Sequence, residues 1–162
     1  AIDHGADEID ICLNRALFLC GNQTKAAEEI SDLKDLIVCR RREVVLKVIL
    51  ETGELQTLSN VWRASLLALK SGADFIKTST GKISCGADVY SASVMLLALR
   101  EHYRKSGIIK GLKVAGGIRE PLEAVKYKRL FEYFISDNIK LGNNFRIGCS
   151  RLFDALKSEI QK

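Results

Sequence analysis

Gly111-Leu112-Lys113-Val114-Ala115-Gly116-Gly117-Ile118-Arg119-Glu120-Pro121 reads as the end of a buried strand, a glycine turn and the first residue of a helix. A short apolar run bounded by glycine is the pattern of a strand inside a parallel sheet. Proline suits the first helical position, where its missing N–H has no intrahelical partner to lose. Working outward, runs of the same kind recur at residues 9–13, 44–50, 74–80, 109–115 and 145–150. Between them, residues 23–39 space Ala26, Ala27, Ile30, Leu33 and Ile37 at helical intervals. Residues 58–70 do so with Val61, Ser65, Leu66 and Leu69, and residues 90–103 with Val94, Leu97 and Ala98. Strand starts lie roughly 30–35 residues apart, an alternation that predicts an α/β fold with a parallel sheet and right-handed crossovers. An open doubly wound sheet and a closed (β/α)8 TIM barrel both fit this alternation. No GxGxxG follows the first strand, which weakens the dinucleotide-binding version.

A barrel closes with eight strands and about 250 residues, whereas five units are visible here. The chain opens on Ala1-Ile2-Asp3-His4-Gly5-Ala6-Asp7, which reads as the last turn of a helix ended by glycine. The expectation is therefore a single domain over residues 1–162 that carries strands 4–8 of a barrel, with about three N-terminal βα units missing.

Composition limits the function classes. With 47% hydrophobic and 28% charged residues, the 162-residue chain has the make-up of one globular domain with a core. No apolar run reaches the roughly 18 residues that a membrane span needs, and no secretory signal is legible, so the expected setting is cytoplasmic, without a membrane partner. Cys12, Cys20, Cys39, Cys85 and Cys149 lack CxxC spacing and stand mostly in apolar stretches, which predicts reduced, packed thiols. His4 and His102 are far apart with no matching cluster, so no metal site and no cofactor are expected. The net charge of +5 fits a pocket for an anionic metabolite. Arg40-Arg41-Arg42 ends a helical segment with no aromatics interleaved, which predicts a solvated helix end and no nucleic-acid partner. Self-association as a homo-oligomer is left open.

The chemistry concentrates in Gly72-Ala73-Asp74-Phe75-Ile76-Lys77-Thr78-Ser79-Thr80-Gly81-Lys82. Lys77 sits among apolar neighbours just before a small polar loop, where burial penalises the ammonium and favours the free, nucleophilic amine. Lys113 lies near the C-terminal end of the next strand. Two ammonium groups side by side disfavour each other's charge, so the lysines form a nucleophile and proton-handling pair; alternatively, each pairs with a carboxylate such as Glu51 or Asp10. The two strands alone leave both readings open. Asp10, set between Ile9 and Ile11, either holds a water or substrate hydroxyl for proton transfer or pairs with a neighbouring lysine. Gly116, Gly117 and Arg119, then Gly148 and Ser150, make two glycine-to-helix loops after the final strands, the usual place for a phosphate on a barrel.

These residues resemble a known family. Lys77-Thr78-Ser79-Thr80-Gly81-Lys82 looks like the active-site segment of the deoxyribose-phosphate aldolases. Ala6-Asp7-Glu8-Ile9-Asp10, the run from Leu46 to Leu55, Ala115-Gly116-Gly117-Ile118-Arg119 and Arg146-Ile147-Gly148 match in order and spacing, and the whole resembles the eukaryotic branch. The resemblance implies a small phosphorylated sugar substrate, 2-deoxy-D-ribose 5-phosphate, reversibly cleaved to D-glyceraldehyde 3-phosphate and acetaldehyde without a cofactor. It makes Lys77 the Schiff-base lysine, Lys113 its activating neighbour and Asp10 the proton relay. Gly81, Lys82, Gly116, Gly117, Arg119, Gly148 and Ser150 surround the phosphate.

Three departures stand out. Val114 occupies a place where the family usually has proline, and should point outward toward the helices. Gly148-Cys149-Ser150 is followed by Arg151 rather than by serine or threonine. The chain stops at Gln161-Lys162 without the C-terminal tyrosine of some members. The competing expectation is a non-catalytic, aldolase-like binding protein or an inactive fragment. The presence of Asp10, Lys77 and Lys113 together favours catalysis.

Overall fold

The computed structural model describes residues 1–41, 43–135, 141–150 and 152–160. Five strands, β1 (Glu8–Cys12), β2 (Val45–Ile49), β3 (Phe75–Lys77), β4 (Gly111–Ala115) and β5 (Phe145–Gly148), form one sheet. They lie in the order of the chain, and every neighbouring pair is parallel. That order settles the architecture. A doubly wound sheet reverses its strand order at a switch point, whereas sequential parallel strands, each separated by helix, are the winding of a (β/α)8 barrel.

The helices form where the sequence supplies both a cap and an apolar stripe. After the short α1 (Arg15–Leu19), α2 (Gln23–Arg40) starts at Asn22, whose side chain accepts the Lys25 amide. Thr57 caps α3 (Leu58–Lys70) and Asp88 caps α4 (Val89–Ser106) in the same way. Pro121 opens α5 (Pro121–Phe134) behind a reciprocal Glu120–Glu123 capping box. A single turn, α6 (Leu141–Asn144), precedes β5, and α7 (Leu152–Ile160) follows it. The opening turn Ile2–His4 is a 3-10 turn ended by Gly5 in the left-handed conformation, as the sequence suggested.

Alternation divides the sheet into two faces. Leu46, Val48, Ile76, Leu112 and Val114 are buried against Ala26, Ile30, Val61, Ala68, Met95 and Leu96 of the helices, and this layer is the hydrophobic core. Val114 is among them, facing the helices as expected. The other face carries Glu8, Asp10, Lys47, Phe75, Lys77, Lys113 and Arg146. The sheet curls so far toward this side that the guanidinium of Arg146, on the last strand, bonds the Glu8 carboxylate of the first at 3.2 Å and lies over the Phe75 ring. Gly111, paired with Phe75 across the ladder, leaves room for that ring, since a Cβ there would come within 2.2 Å of it.

Two expectations change. All five cysteines are unpaired but exposed, not packed. Cys12 shares its face with Glu8 and Asp10, while Ile9 and Ile11, its apolar neighbours in sequence, face the other way. The basic run is not simply solvated: Arg40 pairs with Asp3 at 3.1 Å and Arg41 with Asp7; Arg42 lies outside the described residues, as does Arg151. Among the described residues no helix is long and apolar enough to cross a membrane, and no group of histidine, cysteine and carboxylate side chains could hold a metal.

Candidate active site

Register builds the site. Lys77 stands opposite Lys113 on β4, and Lys113 opposite Arg146 on β5; Asp10 of β1 stands opposite Lys47 of β2. One level apart on the inner face, these rows meet at the Asp10 carboxylate. Its Oδ2 accepts from Lys77 Nζ at 2.8 Å and from Lys113 Nζ at 2.7 Å, while Oδ1 accepts from Lys47 Nζ at 3.0 Å. Of the carboxylates that the sequence offered, Asp10 takes both lysines and Glu51 takes neither. The two amines are brought together, and the group that brings them together is a carboxylate.

Burial alone would push the Asp10 carboxyl up, but the hydrogen bonds from Lys113, Lys77 and Lys47 outweigh it and hold the group far below the usual carboxylate range. Asp10 is thus an anion at neutral pH. Lys47, 2% exposed, also bonds Glu8 at 2.7 Å. It is the member of the cluster that the sequence reading passed over. The signal was present, because Lys47 stands in an apolar strand between Leu46 and Val48 just as Lys77 follows Ile76.

β3 ends at Lys77, three residues sooner than the apolar run suggested; the Thr78 amide still reaches the Lys113 carbonyl at 3.1 Å, and side chains add to the hold from there. The Thr78 hydroxyl donates to the Ala115 carbonyl and accepts from the Ala115 amide, both at 2.9 Å. Thr80 then turns back to the Glu51 carboxylate, donating from its hydroxyl at 2.6 Å and its amide at 3.1 Å. Beyond β4 the chain turns at Gly116, whose φ of 97° lies in the left-handed region. A Cβ on Gly116 would meet Gly86 Cα at 2.8 Å and Ser79 Oγ at 3.2 Å, so the loops after β3 and β4 close only over a glycine. Gly148 does the same beside Lys113, whose Cε would lie 3.4 Å from a Cβ there.

These loops bound a cleft of about 470 Å³ at the C-terminal ends of the strands, the end at which barrels bear their sites. Lys77, Gly81, Lys113, Gly116, Gly117, Arg119, Gly148 and Ser150 line it together with Thr80, Ala115, Ile118 and Cys149. Of the residues singled out from sequence, Lys82 is exposed outside this lining, and Asp10 reaches the cleft through the two lysines bonded to it.

Sequential parallel strands, a charged inner face and a cleft at the strands' C-terminal ends define a protein of the TIM-barrel class. The chain belongs to the DeoC/LacD family of aldolases, whose family model matches residues 1–149. It is 41% identical over 160 residues to the deoxyribose-phosphate aldolase of Mus musculus, an alignment covering 99% of this chain and 49% of that protein. The Agrobacterium fabrum deoxyribose-phosphate aldolase is also 41% identical, over 95% of this chain and 57% of its own length. Among solved structures, a Toxoplasma gondii ME49 protein provisionally assigned as a deoxyribose-phosphate aldolase superposes with a TM-score of 0.78 at 27% identity, covering 99% of this chain and 61% of that one. The chain thus spans about half the length of its mammalian relatives.

Proposed function

We propose that the protein is a class I aldolase that reversibly cleaves 2-deoxy-D-ribose 5-phosphate through a Schiff base on Lys77. The observation that carries this reading is the single Asp10 oxygen that holds Lys77 and Lys113 together at the edge of a cleft. The relatives' names supply the substrate.

Before attack the Lys77 amine must be free of its extra proton. Asp10 touches both amines and so offers a path for that proton to Lys113 or to water. Its carboxyl is too acidic to keep the proton, which makes it a relay and a counter-ion rather than a resting base. The amine adds to the C1 aldehyde, and loss of water gives the iminium. The C3 hydroxyl then surrenders its proton, the C2–C3 bond breaks, and its electron pair moves into the iminium as an enamine while glyceraldehyde 3-phosphate leaves. Protonation at C2 and hydrolysis return acetaldehyde and the free amine. At the other end of the cleft, Glu123 already occupies the amides of Arg119 and Glu120. A phosphate would therefore take the Arg119 guanidinium with the loops around Gly116, Gly117, Gly148 and Ser150; Gly81 forms the near wall, and Lys82 would reach in from outside.

In this reading the chain is one domain supplying five of the eight βα units of the barrel. Five unpaired thiols suit a reducing compartment, the cytosol. The test is release of glyceraldehyde 3-phosphate from deoxyribose 5-phosphate, followed with a coupled assay, on the 162-residue chain and on a version extended to a full barrel. Turnover that disappears in Lys77→Ala supports the reading. An extended protein that releases no product leaves the aldolase-like binding protein as the better description.

A further inference from the structure

We infer that Glu51 is a positioning residue whose carboxylate fixes the 78–82 loop and, through it, the phosphate end of the cleft, so that it governs the preference for phosphorylated over unphosphorylated sugar. The inference rests on the aldolase reading. Glu51 is 2% exposed and lies outside the cleft lining. Its backbone is left-handed, with φ at 55°, a conformation that a glutamate adopts only when its surroundings demand it.

What the surroundings gain is a clamp. Glu51 accepts the Thr80 amide and hydroxyl, at 3.1 and 2.6 Å. The Ser79 and Thr80 hydroxyls and the Thr80 amide outweigh burial in holding its carboxyl below the usual carboxylate range. The two neighbouring hydroxyls each accept an amide further along: Ser79 Oγ takes the Gly81 N–H at 3.0 Å, and Thr80 Oγ1 takes the Lys82 N–H at 3.1 Å. Arg15, whose charge also favours the Glu51 carboxylate, is itself held by Glu54 at 2.6 Å, so the loop is anchored at its start by Thr78 on Ala115 and further along by Thr80 on Glu51. The same loop backs the Gly116 turn, since a Cβ on Gly116 would lie 3.2 Å from Ser79 Oγ and one on Gly81 would lie 4.0 Å from Gly116 Cα. Lys77 is fixed separately by its strand and by Asp10. Releasing the clamp therefore moves the phosphate end relative to the amine and leaves the amine in place.

Glu51→Gln removes the charge and sets an amide N–H against the Thr80 donors. Glu51→Gly removes the carboxylate while suiting the left-handed backbone, and so keeps the test alive if the glutamine variant does not fold. Turnover of 2-deoxyribose 5-phosphate and of 2-deoxyribose is compared in the intact protein, alongside amide hydrogen exchange. The expected result is a loss of about 100-fold in kcat/KM for the phosphorylated sugar against less than about threefold for the other, the scale on which misplacing a substrate acts. Thr80–Lys82 amides should exchange faster while Ile76 stays protected. Equal losses on both sugars, or no loss on either, would overturn the inference and leave the aldolase reading standing. A wild-type protein that turns over neither sugar would remove both.

Discussion

Two aspartates in this molecule each gather lysines, Asp10 from the middle of β1 and Asp74 from just before β3. Asp74, just before β3, accepts Lys34 Nζ at 2.6 Å, Lys110 Nζ at 3.0 Å and the Leu46 amide at 2.9 Å. Its own amide and carbonyl are also taken, by Leu46 and Gly111. Every polar atom of the residue is used in tying α2, β2 and β4 to the start of β3. Asp10 binds three lysines to the two of Asp74; two of its three line a cleft, and all three project from strands onto one inner face. The charges are alike, and burial opposes ionisation in both, yet the lysine contacts win in both. The difference lies in what else the lysines can reach. At Asp74 there is only the fold to hold. At Asp10 there is room for a substrate.

This contrast can be broken or sharpened by experiment. Replacing the Asp10 carboxylate should produce the largest effect: Asp10→Asn is expected to lower kcat/KM by about 10²–10⁴-fold, the range of a lost proton-transfer group, in a protein that still folds. Asp74→Asn should do the opposite. Stripping one partner from a part-buried network costs about 3 kcal/mol of stability, which denaturant unfolding would register, while kcat per folded molecule stays near the wild-type value. If the two variants behave alike, the distinction between the knots is wrong. Next in size is Arg119→Met, expected to raise KM for the phosphorylated sugar about tenfold with kcat little changed, as loss of a charge-assisted contact to phosphate would.

The smallest effect concerns acid. Both carboxyls are held below the value of 3.8 that they have without partners. Their contribution to stability is complete above that pH. Below it the unfolded chain takes up protons that the folded carboxylates refuse, so stability drains away as pH falls toward the folded-state values. Wild-type unfolding midpoints should therefore drop as pH is lowered below about 4, and Asp74→Asn should flatten that limb.

The fold was legible because its signals are local and repeated. Apolar runs bounded by glycine, caps at Asn22, Thr57 and Asp88, and Pro121 after a turn each specify an element without help from the rest of the chain. The alternation alone left barrel and open sheet undecided, since strand order is a property of the sheet and of no single segment; the family motifs pointed to the barrel, and the sequential strand order bears that expectation out. The lysines of the site could be read, for a lysine among apolar strand residues needs a reason. Lys47 carried the same signal yet lacked the polar loop that drew attention to Lys77. The cysteines misled because an apolar neighbourhood in sequence says little about which face of a strand a residue takes, as Cys12 demonstrates beside Ile11. Glu51 was read only as a carboxylate that a site lysine could pair with, and its hold on Thr80 gave no sign in the sequence. Its partner Thr80 lies 29 residues away, and only the closed loop brings the two together.

The central claim is that Lys77 forms a covalent imine, and borohydride reduction in the presence of 2-deoxyribose 5-phosphate, followed by peptide mass mapping, tests it most directly. On a version extended to a full barrel, the expected result is a reduced adduct confined to the peptide bearing Lys77 and absent from Lys77→Ala. An adduct at Lys113 instead, or none in the wild-type protein, would contradict the account.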